Sequence, residues 1–262
     1  MIRALMTAAS GMKAQQMQID TIANNIANAN TAGFKKSELS FRALLYQTYE
    51  EPGAPTAQNQ RRPIGLQIGT GTEIAGSDKI FEQGALEPTS NAFGVGIQGE
   101  GFFRVKVPSG EVRYTRDGNF HRDRDGQLVT SEGYVLDPPV TIPAEAFSVT
   151  IGGDGTVNVL TAEDGQLQQI SSISLYRFPN PGGLKAQGGN YFSESASSGT
   201  ATQGTPGTTG TGIMRQRYTE RSNVAVVDEL VGLILAQRNY EVNSKAIRAS
   251  DEMLQQTNQL IR

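Results

Sequence analysis

The sequence predicts an α+β chain: long N- and C-terminal helices packed together as a coiled-coil-like layer, with an inserted antiparallel β-rich domain and extended arms. Three observations carry this prediction. Apolar residues recur every seven positions at both ends of the chain, they recur every second position in the middle, and Gly-containing dipeptides punctuate that middle at short distances.

The first helix begins the seven-step pattern at Leu5 and continues it through Met12, Ile19 and Ile26, with Ala8 or Ala9, Ile22 and Ala29 near the intermediate positions. Such a step keeps one narrow apolar seam on one side of a helix. Gly33, after Asn28, Asn30 and Thr31, supplies the stop, because Asn and Gly tolerate the left-handed conformation that closes a last turn. A length of roughly 25 residues, about 38 Å, follows at 1.5 Å per residue.

The middle changes period. Phe103, Val105 and Val107, then Phe147, Val149 and Ile151, then Ile173 and Leu175 alternate as strand faces do. Turn signals separate them at Ser109-Gly110, Asp117-Gly118, Asp125-Gly126, Glu132-Gly133, Asp154-Gly155 and Asp164-Gly165, the dipeptides of consecutive hairpins. Two segments have neither period: Tyr46 to Leu66, rich in Pro, Gln and Gly, and Asn180 to Gly212, dominated by Gly, Ser and Thr. Both are expected as long loops or extended arms.

The last helix carries the seven-step seam through Val226, Leu233, Tyr240, Ile247, Leu254 and Ile261. Ser222 or Asn223 is the expected N-cap, with Asp228 and Glu229 near the positive helix end. From Val224 to Ala236 the apolar residues leave the seam for nearly every side, including Val227, Leu230, Val231, Ile234 and Leu235. A helix that is apolar all round needs cover all round. The first helix is the nearest partner for the last, and an inserted domain lets the two run antiparallel. The last helix is longer by about ten residues, so other copies of the chain are the economical source of the missing surface. Polar Gln237, Ser244, Asp251 and Asn258 at the intermediate positions argue against a simple two-stranded coiled coil. The alternative is that both helices pack on the β domain as ordinary core helices.

Composition removes several classes of function. Net charge is −3 with interspersed signs, which leaves no footprint for nucleic acid or an anionic membrane. There is no cysteine, so disulfides, thiolate nucleophiles and Cys-ligated metals are excluded. The stretch from Met1 to Gln16 lacks the apolar middle of a cleaved secretory leader, and no apolar run reaches 18 residues. Export would therefore need another route.

Chemical motifs fail on context. Gly94-Val95-Gly96-Ile97-Gln98-Gly99 matches the dinucleotide fingerprint but runs into a strand where a phosphate-binding helix should begin. Ser10-Gly11-Met12-Lys13 has the Ser-x-x-Lys spacing but lies in the first helix without its Lys-Thr-Gly companion. Asp123-Arg124-Asp125-Gly126 lacks the later ligands of a calcium loop and reads as a hairpin turn. The one histidine, His121, reads as a solvated strand residue. No catalytic, cofactor-binding or metal-ligating residue is expected. A β-rich carbohydrate-acting enzyme with two carboxylates is the alternative from another class.

Several segments carry a resemblance. Asn24-Asn25-Ile26-Ala27-Asn28-Ala29-Asn30-Thr31-Ala32-Gly33-Phe34-Lys35 resembles the N-terminal signature of bacterial flagellar rod and hook proteins. Gln83-Gly84-Ala85-Leu86 with Gly99-Glu100-Gly101-Phe102-Phe103 resembles a second block of that family. Tyr114 to Phe120 with Gly126 to Thr130 resembles a third. Ser222-Asn223-Val224, then Gln237-Arg238-Asn239-Tyr240-Glu241 through Leu254, resembles the C-terminal block. Phe93-Gly94-Val95-Gly96-Ile97 departs from the family pattern, which carries an Asp before the apolar pair. Chain length and the segment from Tyr46 to Gly71 resemble the distal-rod branch, with a hook or proximal-rod paralogue as the alternative.

The resemblance implies a straight, periplasm-spanning tube that transmits motor torque to the hook. Terminal helices would surround a central export channel, and the β domain would face the periplasmic and outer-membrane rings. Its partners would be further copies in the helical tube, other rod proteins, the hook protein and the rings, with no nucleic acid or small-molecule substrate. Export through the flagellar type III apparatus without a cleaved leader is implied too. The expected organisation is 1–33 with 222–262 as a helical assembly domain, 34–75 with 205–221 as an extended connecting segment that includes the arm 46–66, and 76–204 as a β-rich outer domain. The ten seam residues would lock the copies, and Asn24, Asn25 and Asn28 would supply directional amide contacts.

Overall fold

The computed structural model describes residues 2–52, 55–57, 60–61, 63–161, 167–208 and 210–260. The chain divides into two compact units: residues 1–26, 37–78 and 225–262 form one, residues 27–36 and 79–224 the other. The architecture is α+β, with a helix at each end and a β-rich middle.

The first unit holds both helices, α1 (Ile2–Ala27) and α2 (Val226–Leu260), of 26 and 35 residues. It also holds β1 (Ser37–Ala43), β2 (Tyr46–Glu50), β3 (Pro55–Ala57), β4 (Gln60–Arg61), β5 (Leu66–Gly69) and most of β6 (Thr72–Lys79). These six form two-stranded ladders, β1 with β6, β2 with β5 and β3 with β4. The segment from Tyr46 to Leu66, expected as an irregular arm, therefore begins and ends as paired strand: Tyr46 faces Gly69 and Gln47 faces Ile68. Its strands hid from alternation because both faces are solvated, with Tyr46, Tyr49, Leu66 and Ile68 all exposed.

The second unit holds β7 (Leu86–Pro88), β8 (Val95–Gln98), β9 (Phe103–Lys106), β10 (Val112–Thr115), β11 (His121–Arg122), β12 (Leu128–Val129), β13 (Val135–Asp137), β14 (Ala146–Ile151), β15 (Thr156–Thr161), β16 (Leu167–Ser172), β17 (Leu175–Arg177), β18 (Lys185–Gly188), β19 (Tyr191–Ser193), β20 (Thr202–Gly204), β21 (Ile213–Gln216) and β22 (Tyr218–Glu220). Its largest sheet has seven strands in the order β11-β12-β13-β9-β10-β19-β18, and β14-β15-β16 form a second sheet. The ladders of this unit are antiparallel.

Two cores hold it together. The larger packs Val95, Ile97, Phe103, Val105, Phe120 and Leu128, all fully buried, with Ile142, Val157 and Leu175. The smaller is aromatic, gathering Phe102, Tyr114, Tyr176, Phe178 and Phe192. Phe102 and Phe103 are sequence neighbours on opposite faces of one strand region, so each feeds a different core.

Three expectations are corrected here. Asn180–Gly212 is not a loop throughout, since it supplies β18 and β19 to the seven-stranded sheet and β20 to a pair with β17. Consecutive Tyr191 and Phe192 are both buried, which destroys alternation as a signal. Phe147 does not share the inward face of Val149 and Ile151: it is 80% exposed. The β14–β15 register shifts between Ala146 and Ser148, and the extra residue of that bulge turns Phe147 outward. Finally, Asp117-Gly118 is not a hairpin turn. Gly118 lies against the backbone of Val95, where an added Cβ would sit 1.7 Å from the carbonyl oxygen.

The other described turns behave as expected, with Gly110, Gly126, Gly133 and Gly155 at φ of 90, 80, 84 and 84°. Asp164-Gly165 lies outside the described residues. The dinucleotide-like Gly94–Gly99 segment is itself strand β8, paired with β21, so it offers no helix N-terminus to a phosphate.

Candidate assembly interface

In the first unit α1 and α2 lie side by side and antiparallel. An added Cβ at Gly11 would sit 3.0 Å from Asn243, one at Gly232 would sit 3.4 Å from Ile22, and Asn25 Nδ2 donates to Glu229 at 3.3 Å. As numbers rise along α1 they fall along α2 by the same steps. Small residues, Gly11, Ala8, Gly232 and Ala236, allow the close approach.

The seam residues divide by burial. Leu5, Met12, Ile19 and Ile26 of α1 are half-buried, as are Leu233, Ile247 and Leu254 of α2. Val226 and Tyr240 are exposed at 41 and 40%. Ile261 lies outside the described residues. The all-round apolar window is covered only in part within the chain: Ala236 is buried, but Val227, Val231, Ile234 and Leu235 are 53 to 73% exposed.

Helix α2 starts at Val226, later than the expected caps would place it. Asn223 is used elsewhere, its Oδ1 accepting from Lys36 N at 2.8 Å and its Nδ2 donating to the Ile80 carbonyl at 2.8 Å. Ser222 accepts from Val224 N at 3.3 Å. Neither bond set reaches the first turn of the helix: Asn223 is held by distant backbone and Ser222 by the loop before α2.

Among the motif residues, Asn25 is 2% exposed and brackets Ser37, donating to its carbonyl and accepting from its N–H, each at 2.9 Å. Those amide contacts are made inside the chain. Asn24 is exposed, and Asn28 Oδ1 accepts from Thr31 at 3.2 Å. Gly33 ends the turn after α1 at φ 67°. Gln237, Arg238 and Glu241 lie exposed on α2, where Arg238 and Glu241 are 3.4 Å apart, a solvated pair of small energetic weight.

Phe34 is buried, and the Lys79 ammonium stands 4.9 Å from its ring centroid. Lys35, next along, is 1% exposed. Its Nζ donates to Glu220 Oε1 at 2.7 Å and to the Glu82 carbonyl at 2.6 Å. Arg116 Nε donates to the other oxygen, Oε2, at 2.8 Å, while its Nη1 donates to the carbonyls of Gly99 and Gly101 at 2.8 Å. Gly84 N completes the ring at 2.9 Å from Oε1. Burial would push the Glu220 carboxyl up, but Arg116 and Lys35 outweigh it and hold the group below its ordinary value. Burial lowers the Lys35 ammonium, against the pull of Glu220. Sequence reasoning placed Lys35 and Arg116 in family segments but missed the cluster, because Glu220 lies 185 positions from Lys35.

Among the described residues no three His, Asp or Glu side chains gather as a metal ion needs, and no helix is long and apolar enough to cross a membrane.

Comparison with known proteins follows this division. Residues 5–35 match the family model described as flagella basal body rod protein, residues 96–159 the flagellar hook protein FlgE/F/G D1 domain, and residues 215–260 the flagellar basal body rod FlgEFG protein C-terminal. Helices and β unit are thus those of the flagellar rod and hook class. Over its full length the chain is 47% identical to the flagellar basal-body rod protein FlgG of Borreliella burgdorferi, covering 100% of both chains. The FlgG proteins of Caulobacter vibrioides and Bacillus subtilis are 46 and 40% identical, with 99 and 98% of each chain covered. The chain belongs to the flagellar basal-body rod protein FlgG family, whose members are structural subunits of the rod.

Proposed function

We propose that the chain is a distal-rod subunit that polymerises through its terminal helices into a straight tube, carrying motor torque to the hook around a central export channel. The observation that supports this reading is the solvent-facing apolar surface of α2, from Val227 to Leu235. At roughly 25 cal/mol per Å² of apolar area, covering that surface with neighbouring copies is a substantial drive to associate.

In this reading residues 1–33 with 222–262 form the assembly domain as a coiled-coil-like layer. Residues 34–75 with 205–221 form the connecting segment with its rod-type arm 46–66, and residues 76–204 face outward. Seam residues Leu5, Met12, Ile19, Ile26, Val226, Leu233, Tyr240, Ile247, Leu254 and Ile261 lock the copies. The partners are further copies, other rod proteins, the hook protein and the periplasmic and outer-membrane rings. The subunit works across the periplasm as a structural element of the rod.

Imaging of the purified full chain at high concentration tests this. Wild type should give straight tubes and Val231→Asp with Ile234→Asp none; normal tubes from that variant would overturn the assignment of the helices. Removing residues 46–66 should give curved polymers, and straight ones would sink the distal-rod reading.

A further inference from the structure

The β unit carries a hole and a knob on elements that share no residue. The hole is a cavity of about 430 Å³ whose walls include Phe81, Phe102, Phe178, Pro179 and Pro181. Ring centroids of Phe81 and Phe102 are 5.3 Å apart, and those of Phe102 and Phe178 are 5.6 Å apart, at interplanar angles of 74 and 71°. A further ring can join such a cluster edge to face. Size is no obstacle, since a cavity of about 150 Å³ already holds benzene.

The knob is Phe147, thrown outward by the bulge in β14. Leu167, on β16 of the same sheet, is exposed too, at 66%. Charge matches the two surfaces as well. Glu145, two residues before Phe147, is exposed. The cavity is lined by two cations and one carboxylate: Arg177, 41% exposed and paired with Glu100 at 2.7 Å, and Arg116, which shares the single carboxylate of Glu220 with Lys35 and keeps a buried Nη2 with no partner among the described residues. The hole is therefore aromatic with one cation in excess among its lining residues, the knob aromatic and negative.

We propose that Phe147 of one copy seats in the Phe81–Phe102–Phe178 cavity of the next, with Glu145 set toward Arg177, as a head-to-tail contact between β units of two copies of this chain. This rests on the reading that the chain polymerises. Because knob and hole are different surfaces, the contact is heterologous, and its repetition gives an open helical series rather than a closed pair.

The chain has no cysteine, so Ser148→Cys with Pro181→Cys reports the contact without background. A short bismaleimide added to the full chain at high concentration should give covalent dimers and longer ladders, with mass spectrometry locating the link between positions 148 and 181. Adding Phe147→Ala should cut the yield about 10-fold or more, as loss of a buried aromatic anchor does. An unchanged yield overturns the seating. Tubes without the link overturn the seating and leave the polymer reading intact. Linked dimers without tubes support the seating and overturn the polymer reading, and absence of both overturns both. If Pro181→Cys lowers the melting midpoint, Glu100→Cys, at the same cavity, replaces it in the pair.

Discussion

The ammonium of Lys35 lies 2.7 Å from Oε1 of Glu220, and both side chains are fully buried, although 185 positions separate them. Arg116 occupies the other oxygen at 2.8 Å. Removing one member of such a cluster strands buried charge, so Glu220→Ala should destabilise the β unit by about 3–5 kcal/mol. Urea denaturation followed by tyrosine fluorescence measures it; a loss no larger than that of a surface substitution would show that the cluster carries no stability.

Acid should act through the same carboxylate. Its folded-state pKa is depressed below the ordinary 4.5, so the stabilisation is complete above that value and is lost as pH falls through the folded pKa. Asp117 contributes the opposite sign, because burial raises its carboxyl. Comparison with Glu220→Gln isolates the first effect: between about pH 3 and about pH 6 the variant should show a flatter rise of stability with pH than wild type. Equal slopes would remove Glu220 from the acid response.

Gly33 is held at φ 67°, and an added Cβ would lie 2.6 Å from the backbone nitrogen of Asp117. Left-handed strain and a backbone clash act together, so Gly33→Ala should cost about 1–3 kcal/mol. Gly110 has a φ of 90° but nothing within 4 Å of such an atom. Gly110→Ala should therefore cost less in the same thermal melts, and equal costs would show that the contact with Asp117 adds nothing.

Val231 and Ile234 are 53 and 55% exposed on α2. Exchanging either singly for Asn should move the unfolding free energy of the lone chain by no more than about 0.5 kcal/mol. Sedimentation at rising concentration should meanwhile register weaker self-association. A large stability loss would mean that these side chains are packed within the chain.

How much of this was legible depends on the range of each signal. Both helices followed from local periodicity, as did the strands at Phe103 and Leu175. Phe147 broke its own alternation because a bulge, set by the partner strand, adds a residue to the register. Tyr191 and Phe192 were hidden for a different reason, since the strand they form is covered on both faces. Asn223 looked like a helix cap because Asn commonly is one, yet its amide is claimed by Lys36 and Ile80, far away in sequence. The Lys35–Glu220–Arg116 cluster was invisible as a cluster, because charged residues are ordinarily solvated and pairing at such separation leaves no local trace.

Two bonds tie the outgoing chain to the returning one: Gly33 N donates to the Glu220 carbonyl at 2.8 Å, and Lys36 N donates to Asn223 Oδ1 at 2.8 Å. The β unit is closed like a purse, by a drawstring whose two ends are the segments leaving and rejoining the helices. A polypeptide threaded through a narrow conduit from either end delivers one end of that string early and the other late. The drawstring can be tied only after both segments have emerged, so the final closure of the β unit waits for nearly the whole length of the chain.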